Sequence, residues 1–597
     1  MRLLLPHNGT YEESDRRLAE IAEFLGLSCE PILLGRGVQS AVNSLDHGLG
    51  EKNGCLVVNP KVLGESLGHA CPEALARYLT ARFQCLFVHG IVADAFSAAL
   101  LRALSRGRIQ NVAPIENQGQ RYEIVREVRD ICGSFGGISF GPVNAGNDHV
   151  LCLGEGSGQV RTCIAIGDRP FMALLKQDAT TVVVIAGRDT VEMHSEIGDQ
   201  ALSEYFSRFV PHAMALRFLF GEQCWHPIAH HASFIIDDPL LRPTYGYVDF
   251  QQLLALMEEQ NFATTIAFIP HNYRRNLPKT VQMFLQHSDR FSICFHGNDH
   301  TAAEFAETDV CRLNTGLSVA EARMRIHERM TGIPCDRVMV FPQELFSIEA
   351  MKVLKSCNFL GAVKAGTKPV GYQERLTLAE IAQPAILRYG GFPLFSRRYI
   401  GEIKEEDLAF NLFFGKPTLL VEHHEIFNKR TSALIDCVSM INSMMPEIRW
   451  SNLSTALASS GLMRTISPGM CRIRSYSSCV QISNDGDSPR RLSVEWPYPP
   501  GSPMVDAVLQ DGKNDYPFDL VNSEIKLSTE IAGRSSASYS VRYRNDYPRL
   551  RSLGFRWNAK AFVRRRLSEV RDNYASRSKF LMKCGDIIHR RVLSRSL

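Results

Sequence analysis

No Cys-x-x-Cys pair occurs in this chain, although 597 residues carry 16 cysteines. The thiols are scattered, which excludes a cysteine-built metal ribbon or a dense disulfide framework and reads as reduced cytosolic cysteine. A run of about 18 apolar residues is also missing, so no spanning helix is expected. The start, Met1-Arg-Leu-Leu-Leu-Pro-His, has only three leucines in a row before a proline, far short of a secretory apolar segment. Two glycine-rich pieces, Gly133-Ser-Phe-Gly-Gly137 and Gly154-Glu-Gly-Ser-Gly158, lack dinucleotide-binding or Walker spacing and read as loops. Charge of one sign is scarce overall: the net is +4, with 45% apolar and 22% charged residues, as in soluble globular proteins.

Against these absences, two short motifs stand out. Phe234-Ile235-Ile236-Asp237-Asp238-Pro239 ends an apolar, β-branched run on two adjacent carboxylates. About sixty residues on, Phe291-Ser-Ile-Cys-Phe295 runs into His296-Gly-Asn-Asp-His300. One carboxylate plus two imidazoles suits a divalent transition metal with positions left open. The second carboxylate is then available as a base on water. Taken singly, Asp-Asp-Pro is equally a capped turn and His-x-x-x-His two unrelated histidines. His230 and His231 read as structural or rim residues, and His89 as a satisfied strand-end histidine.

Between the motifs lie an amphipathic helix over 249–260 and a β-rich run over 261–270. The order and intervals resemble the polysaccharide deacetylase family, the NodB-type enzymes of carbohydrate esterase family four, over roughly residues 225–460. That family's Thr-Phe-Asp-Asp-Gly, Ala-Thr-Phe-Phe and His-(Ser/Thr)-x-x-His correspond to Ile-Ile-Asp237-Asp238-Pro, Ala263-Thr-Thr-Ile-Ala-Phe and His296-Gly-Asn-Asp-His300. The resemblance implies a distorted (β/α)7-type barrel with Asp237 as catalytic base and a metal, zinc by preference, on Asp238, His296 and His300. The family's late Leu-x-Leu-His strand corresponds to Thr418-Leu-Leu-Val-Glu-His423-His424. It implies a general acid at His423 or His424, with the offset favouring His423. Glu422 departs from the pattern, placing a charge where the family has an apolar wall. The family's Arg-x-Pro-Tyr falls on Val340-Phe-Pro342-Gln343, so its arginine and tyrosine are absent. Arg388 or Arg397 is the candidate replacement for the arginine that orients the base. Arg242, Tyr245, Pro342, Gln343 and Arg388 are the candidate substrate contacts.

Four units are expected. Residues 1–215 alternate short apolar strands (2–5, 31–34, 55–58, 85–88, 162–166, 181–186) with helical stretches, which argues for a doubly wound parallel-sheet accessory domain. Residues 222–462 hold the barrel, and 468–545, with short alternating runs between turn signals, read as a β-sandwich-like module. Residues 546–597 carry 14 Lys+Arg against 4 Asp+Glu. Phe555, Phe562, Val563, Leu567, Val570 and Tyr574 fall near one helical face, with arginines around it. This tail reads either as an anchor on an anionic membrane surface or as a helix packed on the protein. Nucleic-acid binding has no reading motif behind it.

The leading expectation is a metal-dependent deacetylase of an N-acetylated sugar in surface or exopolysaccharide synthesis. With no export signal, the expected location is the cytoplasm, with peripheral contact at the inner membrane face, and the substrate a lipid-linked or nucleotide-linked sugar. The alternatives are an idle glycan-binding or assembly protein that kept the barrel, and an esterase or other C–N hydrolase on the same apparatus.

Overall fold

The computed structural model describes residues 1–49, 54–67, 71–117, 119–154, 157–197, 202–301, 303–550 and 555–573. The first unit is built on one nine-stranded sheet. Cys29–Leu33, Arg2–His7, Gly54–Val58, Cys85–Val88 and Thr180–Ile185 lie side by side and parallel. The remainder, Arg169–Gln177, Arg161–Ile166, Tyr122–Ile124 and Ser139–Phe140, is antiparallel. This corrects the expectation of an all-parallel sheet. The cause is local: Arg161–Ile166, Arg169–Gln177 and Thr180–Ile185 are joined by two-residue links that hold Gly167 and Asp178 at φ +62° and +55°. Tight hairpins force antiparallel pairing, whereas parallel neighbours need a long crossover.

The glycine-rich piece at 133–137 is a packing loop. Ser134 Oγ donates to the Ala409 carbonyl at 3.0 Å, and Phe135 meets Phe410 and Phe413 at ring-centroid distances of 5.3 and 4.9 Å. These aromatics make one core shared by the first unit and the helix Glu405–Phe413 of the second. Of the other piece, 155–156 lie outside the described residues.

The second unit has a parallel sheet ordered Leu394–Ser396, Gly361–Lys364, Cys335–Val340, Phe291–Phe295, Thr264–Phe268, His231–Asp237, Thr418–Glu422, Arg398–Tyr399. Its two edge strands are the two halves of one segment separated by Arg397 alone. Lys364 pairs with Ser396 on one side and Leu420 with Arg398 on the other. A single residue cannot span an open sheet, so the sheet curls back on itself with 394–399 as its seam. Central strands such as His231–Asp237 and Phe291–Phe295 are buried along their whole length. They therefore read as continuous apolar runs, as parallel strands covered on both faces do. The helix Phe250–Gln260 starts where Asp249 accepts the amides of Gln251 and Gln252 and stops at Asn261 in the left-handed region. Both ends follow capping chemistry legible in the sequence.

The third unit packs a six-stranded on a four-stranded sheet around Ile473, Val494, Trp496, Val508, Leu527 and Tyr539. The six-stranded sheet also takes in His226–Pro227 and Gly461–Ser467, which flank the curled sheet in sequence. The chain then runs back along the helix Val310–Thr331, where Asn314 donates to the Tyr547 carbonyl at 2.7 Å. It ends, for the described residues, in the helix Phe555–Asn573.

Candidate active site

The residues of the two motifs meet at the C-terminal ends of adjacent parallel strands, where ligand sites of parallel α/β folds form. Asp237 closes its strand, and Asp238 turns out of it at φ +82° with its amide on the Ala267 carbonyl at 3.2 Å. His296 follows the neighbouring strand, its amide on the Phe268 carbonyl at 2.9 Å. His296 Nδ1 lies 3.0 Å from the Val340 carbonyl, which can only accept, so Nδ1 carries the proton and Nε2 turns a lone pair to the site. Asp238 Oδ1 lies 3.8 Å from His296 Nε2 and 3.6 Å from His300 Nε2. These are too long for hydrogen bonds, and among the described residues Oδ1 is buried with no hydrogen-bond partner.

Two donors on one tetrahedral ion with bonds of about 2.0–2.1 Å sit about 3.4 Å apart. An orphaned carboxylate oxygen facing two imidazole nitrogens at that spacing fits a divalent cation. Asp238, His296 and His300 are the one such group among the described residues, with all three ligand atoms within 4.8 Å of one another. Burial opposes the charge on Asp238, but the two imidazoles and Arg565 hold its carboxyl low; burial disfavours protonation of His300.

Asp237 is buried and held by Arg397 through two parallel hydrogen bonds, Nη1–Oδ1 and Nη2–Oδ2, both 2.8 Å. Burial works against its charge, yet Arg397 together with His296 and His423 outweighs that and keeps the carboxyl below its usual range. Arg397 Nη2 also donates to Glu344 Oε1 at 2.6 Å, and Glu344 Oε2 takes the Ala365 amide at 2.7 Å. The segment that in the family carries Arg-x-Pro-Tyr thus leads here into a carboxylate that steadies an arginine brought from the sheet seam. Gln343 and Glu344, at φ +58° and +56°, make that turn. Gln343 Oε1 accepts the Ala303 amide at 3.0 Å, and Pro342 is buried against the Gly297 turn.

Arg388 is elsewhere, and its expected place at the site is corrected: it pairs with Glu380 at 2.6 and 2.7 Å and with Glu374 at 3.4 Å. Those acids belong to the 374–380 stretch, so nearby charge decided between the two arginines. Arg242 is exposed. His423 is half-buried, its ring parallel to that of Tyr399 at 6.3 Å, and its charge bears on both Asp237 and Asp238. His424 is buried between Tyr245 and Tyr247, at ring-centroid distances of 5.9 and 5.8 Å. Glu422 accepts the Ile400 amide at 3.0 Å; burial pushes its carboxyl up.

Of the three histidines set aside from the sequence, His231 bonds Ser451 Oγ at 3.0 Å, His89 Nε2 sits 2.8 Å from Asp15 Oδ1 in the first unit, and burial holds His230 below its ordinary value.

Two groups of residues at the site were missed from the sequence. Glu304 takes the amides of Asn298 and Asp299 at 3.0 and 3.3 Å and so shapes the loop between the two histidines. Burial, with Asp299 adding to it, pushes the Glu304 carboxyl well up. The second group comes from the C-terminal helix. Asp572 Oδ2 accepts from Tyr245 Oη at 2.6 Å, Asn573 Oδ1 from the Gly246 amide at 2.9 Å, and Asp299 Oδ2 from Trp557 Nε1 at 2.6 Å. Arg565 Nη1 stands 3.8 Å from Asp238 Oδ1. Ala561, Arg565 and Asp572 recur at helical spacing, a signal that was present but overshadowed by the apolar stripe. That stripe faces outward: Phe562, Val563, Leu567 and Val570 are all more than half exposed. Tyr574 and the rest of the tail lie outside the described residues.

The chain shows remote likenesses to solved structures. Among solved structures it is similar to a family 4 carbohydrate esterase from Streptomyces lividans in complex with acetate, at 12% identity, covering 38% of this chain and 93% of that one, TM-score 0.23. It is similar to the catalytic domain of a peptidoglycan N-acetylglucosamine deacetylase from Eubacterium rectale, at 11% identity, covering 38% and 90%, TM-score 0.22. A family-four esterase from Streptococcus mutans shares 11% identity over 36% of this chain and 82% of that one, TM-score 0.23. No family model matches the sequence, and no curated protein matches it.

Proposed function

We propose that this chain is a metal-dependent hydrolase that removes acetyl groups from an N-acetylated sugar or polysaccharide intermediate. The observation that carries the reading is the clamped Asp237–Arg397 pair beside the Asp238, His296 and His300 cluster. Asp238, His296 and His300 would hold a divalent cation, zinc by the donor set, which would supply Lewis acidity and lower the pKa of water from about 15.7 to about 7. Arg397 keeps Asp237 ionised and fixed, so Asp237 accepts the proton of the attacking water. His423 gives a proton to the departing amide nitrogen, which cannot leave as an anion. The C–N bond breaks, acetate takes the water oxygen, and a free amine remains. O-acetyl esters suit the same groups.

The idle-scaffold alternative leaned on the missing Arg-x-Pro-Tyr arginine. Arg397 meets that need from another part of the chain, so the deacetylase reading is preferred. Replacing Asp237 with Asn should lower acetate release from N-acetylated sugars at least about 100-fold. Elemental analysis of the same variant should find metal retained as in the wild type. Turnover near the wild-type rate would remove Asp237 as the base.

A further inference from the structure

The helix Phe555–Asn573 lies over the candidate active site with a charged inner face, and its carboxylates are already engaged. Asp572 serves Tyr245 and takes the Arg571 Nε hydrogen at 2.6 Å. Glu569 takes Arg275 Nη2 at 2.6 Å. Arg565, on the same face, is 6% exposed. Among the described residues its side chain has one neutral acceptor, Ser568 Oγ at 3.2 Å, and Nε has no partner. The carboxylate near it, Asp238 at 3.8 Å, belongs to the metal-ligand cluster. A cation there claims that charge and leaves the guanidinium buried without a counter-ion. A buried, unpaired charge is costly, so the position calls for an anion from outside the protein.

The surroundings point the same way. Arg275, Arg242 and Arg566 gather at the edge of this helix; burial first, then these neighbours and Arg565, bring Arg275 down to about 10. Arg275 and Arg566 share Glu569, at 2.6 and 3.8 Å, so one carboxylate stands against two guanidinium groups there, and the net positive field attracts an anionic ligand. Guanidinium groups also match phosphate oxygens with parallel hydrogen bonds.

We propose that the C-terminal helix supplies the anion-recognising wall of the site, with Arg565 receiving a phosphate carried by the N-acetylated sugar. This rests on the acetyl-hydrolase reading above and narrows its substrate to a sugar phosphate or a sugar linked through phosphate. Arg565 is then a specificity-determining residue, and neutral polymers are poor substrates. A phosphate rather than a carboxylate is favoured because Arg275, Arg242 and Arg566 add positive charge near Arg565 and a phosphate carries more negative charge than a carboxylate.

The test uses the full-length chain carrying Asp237→Asn, so that bound sugar is not consumed. Calorimetry compares N-acetylglucosamine, N-acetylglucosamine 1-phosphate and N-acetylmuramic acid, each in the presence of zinc. The phosphorylated sugar should bind at least about tenfold more tightly than the neutral one. Adding Arg565→Gln should erase that preference, and Arg565→Lys should restore part of it. Equal affinity for the neutral and phosphorylated sugars, a preference unchanged by Arg565→Gln, or tighter binding of the carboxylated sugar overturns the proposal. So does faster turnover of a neutral polymer by Arg565→Gln in the Asp237-intact protein, which makes the helix a closing strap instead. Absence of acetate release from every sugar by the zinc-loaded wild type sinks the hydrolase reading; the binding preference is measured independently of it.

Discussion

Arg397 shows how one side chain settles what a motif leaves open. It sits at the one position where the segment 394–399 changes sheet edge, and its amide bonds the Lys364 carbonyl at 3.0 Å. Its planar fork then grips both oxygens of Asp237 at 2.8 Å. A lysine keeps the charge but not the two-point grip. Arg397→Lys should therefore lower kcat about 100-fold through misplacement of the base. Metal content should be unchanged, because Arg397 touches none of the three ligands. Steady-state kinetics with elemental analysis checks both halves, and a loss of metal would mean that Arg397 supports the whole cluster. Asp237, Asp238 and His296 were legible in the sequence because each ends or directly follows a buried strand, and His300 because it lies four residues after His296. The choice between Arg388 and Arg397 was not, since it depends on which arginine Glu380 had already taken.

Among elements, the loop from His296 to Thr301 carries the most constraint per residue. Gly297 is at φ +69°, and a Cβ there would fall 1.7 Å from Glu304 Oε1 and 2.9 Å from Pro342 Cγ. Gly297→Ala pays the left-handed penalty of about 1–2 kcal/mol and also displaces the carboxylate that holds the loop amides. His296 and His300 then lose their relative placement. Zinc affinity, measured by chelator competition, should fall at least about tenfold, and an unchanged affinity would show that the loop tolerates another path. The C-terminal helix teaches a different point. Its apolar stripe was expected to face a membrane or the protein, yet Leu567 is 65% exposed while Arg565 and Asp572 are buried. Hydrophobic periodicity located the helix but not the face it turns inward, because the cleft it covers is polar.

For the whole molecule, buried histidines set the response to acid. His231 and His327 are 7% and 0% exposed, and burial brings each down to about 4. His212, also 0% exposed, is held well below its ordinary value by burial and by His89. The unfolded chain takes up these protons near pH 6.5 and the folded chain does not. Their contribution is complete above about pH 6.5 and is lost as pH falls towards 4, by up to about 1.4 kcal/mol per pH unit for each group. Thermal unfolding at pH 7.5 and 5 should show a lower Tm at the acidic value, and His327→Gln should reduce the difference. A Tm that is flat across this range would mean that these histidines take up protons without unfolding. No described helix is long and apolar enough to cross a membrane.

By itself, the sequence determined the strands of the central unit and the capped helix after the first motif, and it singled out Asp238, His296 and His300, which the fold brings together. These depend on local pattern, on capping and on residues that directly end buried runs. Tertiary structure alone decided the arginine that grips Asp237 and the inward face of the C-terminal helix. Each of these joins residues far apart in the chain. Arg397 reaches Asp237 across 160 positions, and Asp572 reaches Tyr245 across 327. No local periodicity encodes such pairs; they form only when the sheet curls and the tail returns to cover its open end.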